Sequence, residues 1–188
     1  MLVLASSSPR RSDLLRSAGI PFEVQAADVP EVQNKGEKPV EFAMRLARAK
    51  ADAIALLRPE AFVLGADTIV VVENKILGKP KDADDAARML RLLSDREHDV
   101  TTAISLVFPH AAERITMSDI TRVYFSHLSD EDIASYVATG EPMDKAGAYA
   151  IQGIAGRWIE KIEGDFFNVV GLPVAKVYRI LRQSGALK

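Results

Sequence analysis

Between Phe62 and Val72 the chain reads Phe-Val-Leu-Gly-Ala-Asp-Thr-Ile-Val-Val-Val, with a single carboxylate, Asp67, set into an otherwise apolar run. The β-branched residues of its second half favour strand over helix. A charge in such a place is costly unless it is paired, hydrogen-bonded or bound to a metal. Two readings stand. In one, Asp67-Thr68 makes a tight side-chain-to-backbone turn between two strands, 61–66 and 69–72. In the other, Asp67 lies at a strand end beside a cleft, where a carboxylate serves as metal ligand or general base. Thr68 and Ile69 are poor turn residues, which favours the second.

Around this run, helical and extended patterns alternate. Leu2 to Ala5 reads as a short buried strand, broken by Ser6-Ser7-Ser8-Pro9, and Arg10 to Ala18 as a helix stopped by Gly19. Phe22 to Ala26 is a second strand candidate. Asp28 to Lys38 is a polar loop, and Pro39 opens a helix reaching about Leu57. Asp82 can cap a helix running to about Leu93, and Ser129 with Asp132 forms a capping box for another ending before Gly140. Val100 to Phe108 and Arg114 to Phe125 predict a hairpin around Pro109-His110. The apolar segments 158–162 and 168–172 precede a final helix from Pro173 to about Ser184. Alternation early and antiparallel pairing in the middle predict one α/β domain over residues 1–188, with a mixed sheet.

Composition narrows the function. A formal net charge of −2 provides no bulk basic field for nucleic acid or anionic membrane, so any dealing with phosphates must rest on a local cluster. The absence of cysteine removes disulfides, thiolate metal sites and cysteine nucleophiles. His98, His110 and His127 lack metal-ligand spacing, and no Walker A loop, zinc-protease helix or dinucleotide fingerprint occurs. No apolar segment approaches the ~20 residues that span a bilayer. The expectation is a cytoplasmic protein.

Several residues resist a purely structural reading. Arg10 and Arg11 open a helix, where the dipole disfavours cations; either a bound anion compensates, or Ser caps the helix and both arginines are solvated. In the helix from Pro39, a 3.6-residue period puts Phe42, Leu46, Ala49, Ala53 and Leu57 on one face, and Lys50 falls within that arc. Such a lysine snorkels at the margin or projects into a phosphate pocket. Lys79 sits in a loop between Gly78 and Pro80. Gln152 could read a base edge or cap a strand, and Glu31 is by itself an ordinary loop residue.

In order along nearly the whole chain, these pieces resemble the Maf family of nucleotide pyrophosphatases. The matching blocks are Leu4-Ala5-Ser6-Ser7-Ser8-Pro9-Arg10-Arg11, Arg45-Leu46-Ala47 with Lys50-Ala51, Gly65-Ala66-Asp67-Thr68-Ile69-Val70, and Leu77-Gly78-Lys79-Pro80. They continue with His98-Asp99-Val100-Thr101-Thr102, Gly140-Glu141-Pro142, the run from Asp144 to Gly153, and Asn168-Val169-Val170-Gly171-Leu172-Pro173.

The resemblance implies an α/β fold similar to the inosine triphosphatases, with an elongated mixed β-sheet flanked by helices and two lobes around a cleft. It implies hydrolysis of a nucleoside triphosphate to its monophosphate and pyrophosphate, aided by a divalent metal cation, Mg²⁺ or Mn²⁺. The family's proton acceptor falls on Asp67. Arg10, Thr68 and Gln152 fall on specificity positions, and Arg11, Glu31, Lys50 and Lys79 on other cleft positions, with Ser6 in the first block. Asp67 and Glu31 are the implied metal ligands. Tyr149-Ala150-Ile151-Gln152-Gly153 looks like the subgroup acting on dTTP and UTP; the sister subgroup, acting on 7-methyl-GTP, usually carries Phe and Glu near the tyrosine and glutamine positions. A neutral glutamine can donate to and accept from a pyrimidine edge. Asp95, where many members have glycine, and Val32-Gln33, in place of a second polar or acidic pair, depart from the pattern. The rival readings are a pyrophosphatase for 7-methyl-GTP or non-standard nucleotides, and a nucleotide-binding regulator of cell division. A homodimer is common in the family.

Overall fold

The structure, a computed structural model, describes residues 1–187. In chain order the elements are strand β1 (Leu2–Leu4), helix α1 (Pro9–Ser17), β2 (Glu23–Val24), α2 (Pro39–Ala55), β3 (Phe62–Val72) and β4 (Lys75–Leu77). They continue with α3 (Ala83–Leu93), β5 (Glu97–Val107), β6 (Arg114–Phe125), α4 (Asp130–Ala138), β7 (Ile159–Glu163), α5 (Phe166–Val170) and α6 (Val174–Gln183). The seven strands make a mixed sheet in the order β2-β1-β3-β5-β6-β7, with β4 pairing β3. β1 runs parallel to both β2 and β3, whereas β3–β4 and β6–β7 are antiparallel. The α/β class with a mixed sheet and flanking helices follows the sequence reading. Among the described residues, no helix is long and apolar enough to cross a membrane.

Local chemistry accounts for most boundaries. Gly19, at φ +67°, takes the left-handed conformation that ends α1. Pro39 occupies the first turn of α2, and Glu41 reaches back to accept from the Lys38 N–H at 3.2 Å. The Asp82 carboxylate accepts from the Asp85 N–H at 2.8 Å, and Ser129 and Asp132 cap α4 reciprocally. The hairpin closes as expected, with the Phe108 N–H donating to the Glu113 carbonyl at 3.0 Å. Two expectations shrink or change. The strand at 22–26 contains only Glu23 and Val24, both exposed, and the helix expected to reach about Leu57 ends at Ala55.

The chain forms two compact units, each discontinuous in sequence. The first comprises 1–67, 102–119 and 171–188 and has a core of Val3, Ala5, Ala51, Ile54, Ala61, Val63 and Val107. The second comprises 68–101 and 120–170. Its core joins Val70, Val72 and Leu77 to the apolar face of α3, to Ile133 and Tyr136 of α4, and to Phe125, Tyr149 and Trp158. A buried Leu or Ile in such a core contributes about 1.5–3 kcal/mol.

One buried polar pair lies inside the second core. His98 and Tyr149 share a hydrogen bond of 2.7 Å between Nε2 and the phenol, and both rings meet Phe125 edge-on. Burial pushes the His98 pKa down to about 3. The unfolded chain protonates this histidine near its ordinary value, so the stability it contributes is complete above that value and is lost as pH falls toward 3. Between pH 7.5 and 5.5 urea unfolding should therefore show a loss of about 1 kcal/mol that His98→Gln lacks. An unchanged slope in the variant would assign the pH dependence to other groups.

Candidate active site

Asp67 is at neither a turn nor a strand end: β3 runs unbroken through Asp67 and Thr68. The two apolar runs read in the sequence are one strand, and alternation along it puts Val63, Gly65 and Asp67 on one face. Gly65 lets that face meet α2 backbone to backbone. A Cβ on Gly65 would lie 2.2 Å from the Ala47 carbonyl oxygen and 2.7 Å from the Ala51 nitrogen. Lys50 lies on the turn of α2 between those two contacts. Two residues further along β3, Asp67 meets its ammonium.

The buried stripe of α2 is also displaced from the expected one. It comprises Phe42, Ala43, Leu46, Ala47, Lys50, Ala51 and Ile54. Leu57 lies beyond the helix and is exposed, and Ala49 and Ala53 are only half-buried. Lys50 is thus in the middle of the buried face rather than at its margin, and snorkelling to water does not describe it. Its Nζ donates to Asp67 Oδ1 and to Glu31 Oε1, each at 2.6 Å. The Lys50 and Asp67 side chains are 11% and 7% exposed, whereas Glu31 is 49% exposed. The pair is buried on one side and open through Glu31 on the other.

Burial raises the Asp67 pKa above the ordinary carboxylate value; Lys50 and Arg11 oppose the shift, and the like charge of Glu31 adds to it. Arg11 is likewise buried. Its Nε donates to the Gly171 carbonyl at 2.9 Å and a terminal nitrogen to Ser6 Oγ at 2.9 Å. Desolvation lowers its pKa, Asp67 and Glu31 counter this, and neighbouring Arg10 adds to the lowering. Ser8, at the N-terminus of α1, makes no side-chain cap, and Ser6 Oγ accepts from the Ser8 N–H at 3.3 Å instead. The alternative of a capping serine with two solvated arginines therefore fails for Arg11; Arg10 is half-buried.

The first unit thus brings together Glu31, Lys50 and Asp67 in one cluster, and Ser6 and Arg11 in a hydrogen-bonded pair. Thr68, Lys79 and Gln152 belong to the second unit and to three different segments of it. Thr68 is half-buried on β3. Lys79 is exposed in the loop after β4, which is tied to the 146–148 turn by the Gly147 N–H donating to the Gly78 carbonyl at 3.0 Å. Gly147, at φ +69°, packs so closely on Val70 that a Cβ would lie 2.8 Å from it. Gln152 is exposed in a tight turn closed by the Gly153 N–H donating to the Ala150 carbonyl at 3.0 Å.

As metal donors, Asp67 and Glu31 offer hard carboxylate oxygens; Oδ1 and Oε1 are engaged by the Lys50 ammonium, which leaves Asp67 Oδ2 and Glu31 Oε2 as the oxygens for a cation. No grouping of three or more His, Cys, Asp or Glu that could hold a metal occurs among the described residues. Two carboxylates are of the hard-oxygen type that suits Mg²⁺ or Mn²⁺ and are too few for an all-protein cage. Sequence reasoning missed Gly65. A lone glycine inside an apolar strand run is the sign of a close backbone approach, and could have revealed the contact.

The fold and this cluster define an α/β protein with a buried lysine–carboxylate centre. Residues 1–184 match the family described as "Maf-like protein", and the chain belongs to that family. A dTTP/UTP pyrophosphatase of Koribacter versatilis is 56% identical over 99% of this chain and 95% of its own length. Proteins with the same name from Geobacter sulfurreducens and a Geobacillus species are 51% and 46% identical, covering 99% and 98% of this chain and 97% and 98% of theirs. Among solved structures, the Staphylococcus aureus Ham1 protein aligns with a TM-score of 0.47 at 18% identity, over 66% of this chain and 71% of that one.

Gly65→Ala tests how the cluster is positioned. The clash is with helix backbone, which cannot rotate away, so the variant should lose about 3 kcal/mol or more of stability in urea unfolding. A loss under about 1 kcal/mol would show that β3 and α2 can separate without cost.

Proposed function

We propose that this chain hydrolyses dTTP and UTP between the α- and β-phosphates, releasing the nucleoside monophosphate and pyrophosphate. The observation that carries the reading is the buried Lys50–Asp67 pair with Glu31 at its open side, in a chain 46% to 56% identical to proteins named dTTP/UTP pyrophosphatase.

Asp67 accepts the proton of the attacking water. Its pKa is raised by burial, which makes the carboxylate a better base than one in water, while Lys50 and Arg11 oppose that rise. Arg10 and Arg11, at the N-terminal turn of α1, grip phosphate oxygens, and Lys50 and Lys79 supply point charges toward the charge that gathers on departing pyrophosphate. Ser6 holds the Arg11 guanidinium in register. Asp67 and Glu31 would hold the divalent cation, Mg²⁺ or Mn²⁺, which when bound contributes charge neutralisation at the phosphates. Thr68 and Gln152 set specificity; the Gln152 amide both donates and accepts, as the hydrogen-bonding edge of thymine or uracil requires. The reading places the enzyme in the cytoplasm as a homodimer, clearing nucleotides, with no part for nucleic acid or membrane.

Pyrophosphate release from dTTP, UTP, CTP, GTP, 7-methyl-GTP and inosine triphosphate with Mg²⁺ tests it. Turnover should favour dTTP and UTP, stop on chelation and return with Mg²⁺ or Mn²⁺. Asp67→Asn should lower kcat by about 10³-fold in a folded protein. Near-normal turnover in that variant would remove Asp67 as the base. A folded wild type that binds these nucleotides and cleaves none would instead support a regulator of cell division.

A further inference from the structure

The turn that carries Gln152 is fastened by a carboxylate to which no role has been given. Glu141 opens a short 3₁₀ turn, Glu141–Asp144, just after α4. Its side chain leaves this turn and crosses to the segment 150–154. The Ile154 N–H donates to both carboxylate oxygens, at 3.1 Å and 3.3 Å. The Tyr136 phenol donates to Oε1 at 2.9 Å. Tyr136 is 1% exposed and packs edge-on against Trp158, so the far side of the carboxylate is anchored in the core of the second unit. Burial, reinforced by the carboxylate itself, raises the Tyr136 pKa and keeps the phenol protonated as a donor.

The backbone of Glu141 is fastened as well. Its N–H donates to Thr139 Oγ1 at 3.2 Å, and its carbonyl accepts from Lys145 Nζ at 2.7 Å. Gly153 completes the arrangement, because a Cβ there would lie 2.0 Å from Glu141 Oε1. The backbone of Gly153 (φ −102°) is not left-handed, so the carboxylate, rather than backbone conformation, excludes a side chain. The other end of the turn is held by Tyr149 through His98.

We propose that Glu141 is a positioning residue for Gln152 and thereby for selection of the base; this rests on the reading that Gln152 meets the base. Gln152 is exposed and next to a glycine, in a turn whose far side is tied to the core of the unit through Glu141. Hydrogen-bond discrimination between base edges needs its donor and acceptor held to within about 0.5 Å. The carboxylate supplies that hold through charge-assisted bonds to a backbone amide and a core phenol. It does so from outside the reacting atoms, so it acts on substrate choice and KM rather than on bond cleavage.

Steady-state kinetics on dTTP, UTP, GTP and inosine triphosphate, with thermal unfolding alongside, test this with Glu141→Ala, Glu141→Gln, Gly153→Ala, Gln152→Ala and the Glu141→Ala/Gln152→Ala double variant. Glu141→Ala should raise KM for dTTP and UTP about tenfold, keep kcat within about twofold, and erode the preference over GTP by a similar factor. Glu141→Gln should stay close to wild type, since one carbonyl oxygen can accept both from Tyr136 and from Ile154. Gly153→Ala should reproduce the Glu141→Ala profile by displacing the carboxylate, and carries the test if Glu141→Ala does not fold. The double variant should be no worse than Gln152→Ala. Equal losses on all four nucleotides, or additive losses in the double variant, would overturn the proposal. If Gln152→Ala alters the nucleotide profile and Glu141→Ala does not, only the positioning role fails. If Gln152→Ala leaves the profile unchanged, the base-reading role fails and takes this one with it.

Discussion

Everything in the first unit's site depends on one ion pair that the fold has withdrawn from water. Lys50 and Asp67 are each too buried to be stable alone, and each is the main reason the other is tolerated. Breaking such a pair by removing one partner typically costs about 3–5 kcal/mol, because the survivor is left charged and desolvated. The contact that sets the distance is made of backbone rather than side chain: β3 and α2 touch at Gly65, which fixes the reach of the lysine before any side chain adjusts. A base that must change protonation state during a reaction benefits from this kind of support. Its charged neighbours can oppose the effect of burial without moving themselves.

Charge is arranged with similar restraint. Two cations, Lys50 and Arg11, face two carboxylates, Asp67 and Glu31, and Arg10 adds a further positive charge beside Arg11. The net −2 of the whole chain conceals this pattern. A triphosphate needs local cations, and a long-range positive field would draw every polyanion in the cell equally. The protein has the first and lacks the second.

How much of this was legible in the sequence varies with the physics behind each signal. Caps and turn residues act over three or four positions, so the ends of α1, α3 and α4 could be read directly. Asp67 stood out because a charge in an apolar run is anomalous wherever it occurs. Its place within a continuous strand did not, since a polar pair between two short apolar runs also describes a turn. The stripe of α2 was read about a quarter-turn from its true position: apolar Leu57 drew it one way, while the helix in fact ends at Ala55 and presents its alanines to Gly65. Glu141 and Gly153 were invisible as partners because nothing in a sequence records a contact across twelve residues of irregular chain. Each alone is an ordinary loop residue.

The interleaved make-up of the two units has a consequence for how the chain is made. Neither unit is a contiguous stretch, and the first takes its last piece from residues after Gly171. That piece brings the carbonyl that orients Arg11 and the apolar face of α6, with Val177, Ile180 and Leu181 buried. The parts of the first unit translated earliest stay without that partner until the segment after Gly171 has been made, and every residue of the second unit precedes it in translation. The Arg11 guanidinium therefore cannot take its observed orientation before Gly171 has been added to the chain. A chain lacking the residues after Gly171 would keep every residue of the second unit and leave the apolar surface meant for α6 open to chaperones or to other chains.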